Sequence, residues 1–420
     1  HRDANLEQVM CRSLLSVDLG GAGRGPDRTQ PEDDLDDEAR VAAYRALLSF
    51  GEDAQGRYAA YRMRKGEALY SSVVIRYTDR VDPKGVNELA DRIAQRNGIT
   101  DVRGIQPGQL IKIPVAFLAD PFQAEGSSQL AEEREVRAEV RRTVRVEAGP
   151  KLKGVRIVLD AGHGGVDPGA RANGLWESDF VYDIVMRVRR LLEQETEAQV
   201  SSTIRYPGLG FRTREEISAP SRAAEILTTP PFAVDGESPS AVSVHLRWVL
   251  ANDLFAAFRK GKGDAQKTLF LSFHADSLHP SARGSMVYVP GAALVPSAFG
   301  LGTAKTGHVA EARRSARVTF TSREKLQGEA RSRQFSEALM KALHKERIPI
   351  HANRPIRNVI YRSGGKWVPA VLRYSTGATK ALIEVANLTN EEDAASLKDP
   401  EFRERYAVAV VNAIRAYYRK

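Results

Sequence analysis

Residues 155–177 read VRIVLDAGHGGVDPGARANGLWE. The apolar run Val155-Arg156-Ile157-Val158-Leu159 predicts a buried strand. It breaks at Asp160-Ala161-Gly162-His163-Gly164-Gly165, where glycine permits a tight turn and close approach to the backbone. A histidine carried off the end of a buried strand on such a turn is well placed to ligate a metal. Glu177 follows, just ahead of a helical pattern over 180–192.

The same construction returns later in the chain. Leu269-Phe270-Leu271-Ser272-Phe273-His274-Ala275-Asp276 is a second buried strand ending in a histidine, and Ala381-Leu382-Ile383-Glu384-Val385 sets a glutamate in a third apolar run. A charged carboxylate there is costly unless it has a partner or a task. Open α/β sheets gather their working groups at the carboxyl ends of strands, so His163 and His274 are expected to meet at one edge. Two imidazoles and a carboxylate leave a fourth position on Zn2+ open, the layout of a hydrolytic zinc site. Such a metal lowers the pKa of water toward about 7, and a nearby carboxylate takes the proton. Taken singly, a strand-end histidine also fits a hydrogen-bonded structural role.

The chain has 420 residues, room for two or three domains of about 100–200 residues each. With 42% hydrophobic and 27% charged residues the composition is that of a globular protein. No apolar run reaches the ~18 residues needed to span a bilayer. The chain opens at His1 rather than Met, so a start residue is expected to be missing, and with it any secretion signal. The single cysteine, Cys11, excludes an internal disulfide and an all-cysteine zinc site. Gln8-Val9-Met10 ahead of it does not resemble a lipobox, so a free or buried thiol is expected.

The net charge of +9 is uneven: residues 1–55 hold 12 acidic and 6 basic groups, or −6, leaving +15 on the remainder. A basic body suits an anionic partner such as nucleic acid, a membrane surface or cell-wall polymer. The aromatic–basic interleaving of nucleic-acid readers is missing, so no nucleic-acid partner is expected.

Residues 1–55 form an acidic, partly disordered segment, with the flexible Gly20-Gly21-Ala22-Gly23, an acidic run over 32–38 and a short helix over 38–50. Residues 56–118 read as a small unit of strand, helix (68–77), helix (85–96) and strand (110–115). Residues 119–153 form a charged linker whose 130–146 stretch fits a solvated helix or an extended strand. Residues 154–420 read as one α/β domain, a sheet flanked by helices on both faces. Its strands are expected over 155–159, 200–206, 268–273, 286–289 and 381–385, and its helices over 180–193, 246–260, 328–345 and 402–418. Residues 207–240, rich in Pro, Gly, Ser and Thr, read as an inserted surface loop.

The small unit resembles a LysM domain, the module that binds N-acetylglucosamine-containing glycans. The matching residues are Lys65-Gly66-Glu67-Ala68-Leu69, Asn97, Ile105, Pro107-Gly108, Leu110 and Ile113-Pro114; extra residues fall around 78–84. A plain structural domain is the alternative reading.

The larger domain resembles the zinc-dependent N-acetylmuramoyl-L-alanine amidases (the AmiC-like, amidase-3 family). The resemblance rests on Leu159 to Gly165, Asp167-Pro168-Gly169-Ala170, Gly174 and Glu177. It continues through Arg247 with Ala251-Asn252, Ser272 to Asp276, Gly284, Val287-Tyr288, Val371-Leu372-Arg373, Leu382-Ile383-Glu384 and Asn390. It implies a zinc ion held by His163, Glu177 and His274. It implies Glu384 as the base that deprotonates the attacking water and helps protonate the leaving amine. The bond cut would join the lactyl group of N-acetylmuramic acid to L-alanine in peptidoglycan, which places the protein in the periplasm or outside the cell. Arg373 is a candidate substrate-binding residue or a surface cation.

The family usually has Gly-Phe soon after the base; here Ala386-Asn387 stands. Residues 205–247 and 290–328 are longer than usual. Some relatives cover the zinc site with a helix until a partner removes it. Residues 309–317 are a candidate for such a lid, relieved by an activator protein, with Glu311 capping the metal; a plain surface excursion is the alternative. His279, His308, His344 and His351 read as surface residues, and His245 as a packing or capping residue. Two rival functions stay open: a zinc peptidase acting on stem peptides, and a non-catalytic wall-binding or activator protein.

Overall fold

The computed structural model describes residues 37–235, 240–302, 304, 306–362 and 365–419. Cys11, the glycine-rich stretch and most of the acidic run lie outside the described residues.

Helix α1 (Asp37–Ala46) leads into β1 (Ser49–Asp53), which pairs antiparallel with β2 (Gly56–Arg62), and β2 pairs antiparallel with β3 (Leu110–Pro114). Between β2 and β3 run a wide π-type turn, Leu69–Ile75, its continuation Arg76–Thr78, and helix α2 (Pro83–Arg96). The strand–helix–helix–strand order thus appears, but a domain edge at residues 55/56 would cut the β1–β2 hairpin. Asp53 faces Gly56 across its turn, and Gly56, at φ +99°, adopts the backbone that the turn demands. Asp82 caps α2 by accepting the Gly85 N–H at 2.6 Å. Asn97 closes the other end: its Nδ2 donates to the Ile93 and Lys112 carbonyls while its Oδ1 accepts the Lys112 N–H, tying the helix to β3.

The stretch expected as a linker carries helix α3 (Ser128–Arg142), with Leu130, Glu133, Val136, Arg137 and Val140 buried along one stripe. Glu133 lies 3.1 Å from Arg137 and 3.2 Å from Arg333, so buried charges neutralise each other. Dense charge reads as a solvated face only until a partner helix supplies the opposite sign.

The larger domain holds β4 (Arg156–Ala161), α4 (Glu177–Glu195), β5 (Gln199–Ser202), α5 (Ser240–Lys260), β6 (Thr268–His274) and β7 (Met286–Tyr288). It continues with α6 (Ser322–Lys345), β8 (Ile356–Arg357), the hairpin β9 (Ile360–Arg362) and β10 (Gly365–Trp367), β11 (Thr379–Glu384) and α7 (Pro400–Tyr417). The central sheet runs β8-β7-β11-β6-β4-β5. Strands β5, β4, β6 and β11 are mutually parallel, and β7 runs antiparallel to β11.

Period-two alternation sorts the strand residues. Ile157, Leu159, Leu269, Leu271, Phe273, Ala381 and Ile383 share a core with Val181 and Val185 of α4, Phe335 and Leu339 of α6, and Tyr406 and Val410 of α7. Val158, Phe270, Met286, Tyr288 and Leu382 face the other way. Their cluster includes Ala251 and Phe255 of α5 and continues into Tyr77, Val81 and Phe122 of the N-terminal unit. Helices were expected on both faces; on the second, α5 shares the covering with the N-terminal unit.

Residues 79–81, within the extra stretch of the small unit, contribute to its junction with the larger domain. Asp79, in the left-handed region at φ 57°, is buried, and its carboxylate binds the buried Arg354 guanidinium. Arg357 Nη1 lies 3.5 Å from the same carboxylate and donates to the Asp79 carbonyl at 3.0 Å. Nearby, the His279 N–H donates to the Val81 carbonyl, and the His279 ring stacks on Tyr70.

Residues 207–235 are not a free surface loop. Ile226 and Val234 are fully or nearly fully buried, and Arg214 reaches the buried Asp179 carboxylate at 2.7 Å.

Candidate metal centre

Register brings the site together. Ala161 pairs with Phe273 and His274 with Glu384 across parallel strands, so three strand ends lie level. The Gly162 N–H donates to the Phe273 carbonyl and carries the ladder to the point where His163 leaves it. Ligand atoms of His163, Glu177 and His274 lie within 4.8 Å of one another. Glu177 opens α4 and is almost wholly buried. His274 Nδ1 is 2.8 Å from its Oε1 and His163 Nε2 is 3.4 Å from its Oε2, while the Ala170 and Ala275 N–H groups donate to it.

Burial works to raise the Glu177 carboxyl. The hydrogen bond from His274 and the charges of both imidazoles outweigh it, so Glu177 sits below the ordinary carboxyl range. Burial likewise lowers His163, but the hydrogen bond to Asp167 and the Glu177 charge prevail and raise it. His163 Nδ1 lies 2.9 Å from Asp167 Oδ2, which turns Nε2 toward Glu177.

His163 occupies the left-handed region at φ 60°, rare for a residue with a Cβ. Arg247 of α5 holds it there: the guanidinium donates to the His163 and Ala161 carbonyls and pairs with Asp160 at 2.7 Å. Ser272 and Thr203 complete the shell of Asp160. An arginine amid the apolar residues of α5 signals a buried partner; its target could not be read from spacing.

Two glycines make room for the cluster. A Cβ on Gly162 would lie 2.4 Å from the His274 ring, and one on Gly169 would lie 2.5 Å from Glu177 Oε2 and 2.7 Å from His163 Cδ2. Two imidazoles and one carboxylate, converging in a cradle that a methyl group would fill, fit a zinc ion.

The cluster lines a cavity of about 470 Å³ with Arg247, Asp276, Glu384, Ile360, Trp367, Val371 and Leu382. Glu384 accepts the Asp276 N–H at 3.0 Å. Burial, with the like charges of Asp276 and Glu177, pushes its pKa well above the ordinary carboxyl range.

Several other candidate residues lie away from this cluster. Arg373 is not among the described residues lining the cavity; its guanidinium lies over the Tyr374 ring at 5.0 Å, although Ala370 and Val371 on the same short helix do line it. No described residue of 290–328 lines it either. A helix does form there, Ala310–Ser315, but Glu311 accepts the Thr229 N–H at 2.9 Å and Arg314 pairs with Asp253 of α5, so Glu311 is spent on a loop. Asn387, at the departure from Gly-Phe, is buried and ties residues 278–282 beside the cavity. It accepts the Leu278 N–H and donates to the His279 and Ala282 carbonyls. His308 and His344 are exposed as expected. His279 is half-buried and His351 buried, because docking of the N-terminal unit and the β8 region covers them. His245 accepts from Trp248 Nε1 at 3.0 Å, a packing role.

The profile of the N-acetylmuramoyl-L-alanine amidase family matches residues 157–416. The chain belongs to this family. This amidase-family chain is 28% identical over 137 residues to an uncharacterized cell wall amidase of Bacillus anthracis, a match covering 33% of the chain and 19% of the relative. It is 51% identical over 47 residues to an endolysin of Bacillus phage SPP1, covering 11% and 17%. The matched stretches thus span less than a fifth of either relative. Among solved structures, the N-acetylmuramyl-L-alanine amidase Ami1 of Mycobacterium smegmatis aligns with 63% of this chain and 97% of its own, at 19% identity and a TM-score of 0.38. No described helix of the amidase-family chain is long and apolar enough to cross a membrane.

Proposed function

We propose that the protein is a zinc-dependent peptidoglycan hydrolase that cuts the amide between N-acetylmuramic acid and L-alanine. The observation that carries this reading is the meeting of His163, Glu177 and His274 beside Glu384 in one cavity. Those three residues would hold the zinc, which when bound supplies Lewis acidity toward the amide carbonyl and acidifies water.

The chain's own groups do the rest. Glu384, with a raised affinity for protons, takes one from the attacking water at a carboxylate oxygen and returns it to the departing amine. The Asp276 N–H fixes the orientation of that carboxylate. Asp167 and Arg247 hold His163, one through its ring and the other through its carbonyl. The apolar wall of Ile360, Trp367, Val371 and Leu382 excludes water from the far side of the cleft. We read the N-terminal unit as LysM-like and glycan-binding, and the working location as periplasmic or extracellular, where the polymer lies.

The test is Glu384→Gln, assayed by metal analysis and by mass spectrometry of muropeptide digests. Zinc content stays at the parent level and release of stems beginning with L-alanine falls about a thousandfold. A variant that hydrolyses like its parent removes Glu384 from the mechanism. Cleavage within the stems instead assigns a peptidase.

A further inference from the structure

The hairpin of β9 and β10 has two faces with different neighbours. Ile360 pairs with Trp367 and Tyr361 with Lys366. Directly opposed residues of an antiparallel pair share a face. Ile360 and Trp367 line the cavity that holds the metal cluster. On the reverse face, Lys366 Nζ binds both carboxylate oxygens of Asp120 at 2.8 and 2.9 Å, and the Arg80 guanidinium lies 5.7 Å from the Tyr361 ring centre. Asp120 and Arg80 belong to the N-terminal side of the chain. The segment entering the hairpin is gripped too, through Arg354 and Arg357 on Asp79. The N-terminal unit therefore holds this wall of the cleft at its entry and on its outer face.

We propose that Trp367 is a substrate-positioning residue whose indole stacks on the pyranose ring of N-acetylmuramic acid, and that the N-terminal unit is the clamp that sets its place. This rests on the hydrolase reading above for the identity of the sugar. The indole and Ile360 lie on the wall of the same cavity as the charged cluster, and both are largely apolar. A pyranose presents its C–H face to such a surface and keeps its hydroxyls in water. The scissile amide then lies between the sugar, held on the wall, and the cluster. A unit that merely tethers the enzyme to polymer would leave the cleft wall untouched; this one is part of the wall's support.

The experiment uses the full chain, zinc-loaded, in the Glu384→Gln background so that ligand survives. Calorimetry measures binding of N-acetylmuramoyl-pentapeptide and of the pentapeptide alone. Adding Trp367→Ala weakens binding of the sugar-bearing ligand about tenfold, leaves the pentapeptide within about twofold, and Trp367→Phe recovers most of the loss. Lys366→Ala, at an exposed position, and Asp120→Ala, at a half-buried one, each weaken it by up to about threefold, and together no further than either alone. Equal losses for both ligands, or none for the sugar-bearing one, overturn the stacking role. Additive effects at Lys366 and Asp120 overturn the clamp. In the parent enzyme Trp367→Ala raises KM more than it lowers kcat. A parent that binds the ligand yet releases no stem sinks the hydrolase reading alone, because the binding arms still decide this inference.

Discussion

Two buried carboxylates in this protein are held in the same way, each between two basic side chains, and only one is open to exchange. Asp79 lies between Arg354 and Arg357, all three sealed at the junction of the N-terminal unit and the sheet. Glu177 lies between His163 and His274, on the wall of a cavity. A guanidinium has only N–H donors and no lone pair to give a metal, so the Asp79 site can hold no ion. Imidazole does shed its proton, and then offers a lone pair to a metal. The same motif is a rivet in one place and a candidate metal seat in the other. Choice of base, and access to solvent, make the difference.

The largest expected effect separates the two outright. Asp79→Ala strands two buried cations and destabilises the protein by about 3–5 kcal/mol in urea unfolding. In metal-free protein Glu177→Ala costs only about 1–2 kcal/mol, since no guanidinium is stranded and only hydrogen bonds are lost. Equal losses would break the comparison.

Next is the support of the metal seat. Asp167→Ala frees the His163 ring and weakens zinc affinity about 10–100-fold, read by competition with a coloured chelator, while Asp79→Asn leaves zinc affinity unchanged. A zinc affinity indifferent to Asp167 would mean that the ring is held by other contacts.

The smallest effect concerns pH at the junction. Burial, with the charge of Arg357, holds His351 at about 3, against 6.5 when exposed. Its folded pKa lies below its unfolded one, so the unfolded chain binds the extra proton. The stability it contributes is present above the unfolded value and drains away as pH falls from there toward the folded one. Between pH 8 and pH 5 this removes about 2 kcal/mol, and His351→Gln flattens the slope by that amount. An unchanged slope places the acid lability elsewhere.

Much of the larger domain was legible because its signals are local. Buried strands declare themselves as apolar runs, and His163, His274 and Glu384 sit where such runs end. Helix edges moved by a few residues where caps decide them: α6 starts at Ser322 because Thr321 and Glu324 form a reciprocal cap, not because the apolar pattern begins there. The short β8 gave no signal, for two residues cannot show a period.

The partners of charged residues were not legible. Glu133 read as surface charge and Arg247 as part of a motif until α6 and β4 came against them, and Asp79 fell among the extra residues of the small unit until Arg354 and Arg357 met it. Asn387 read as a lapse from the family pattern, whereas its amide fastens the loop beside the cavity at both ends.

Composition and periodicity by themselves determined that this chain forms an α/β sheet with histidines and a glutamate at its strand ends, because burial and alternation are properties of neighbouring residues. Only the tertiary structure decided that the N-terminal unit is riveted to that sheet and holds one wall of the cleft. That depends on which charge meets which across hundreds of residues, and Coulomb pairing in a sealed interface leaves no trace in local sequence.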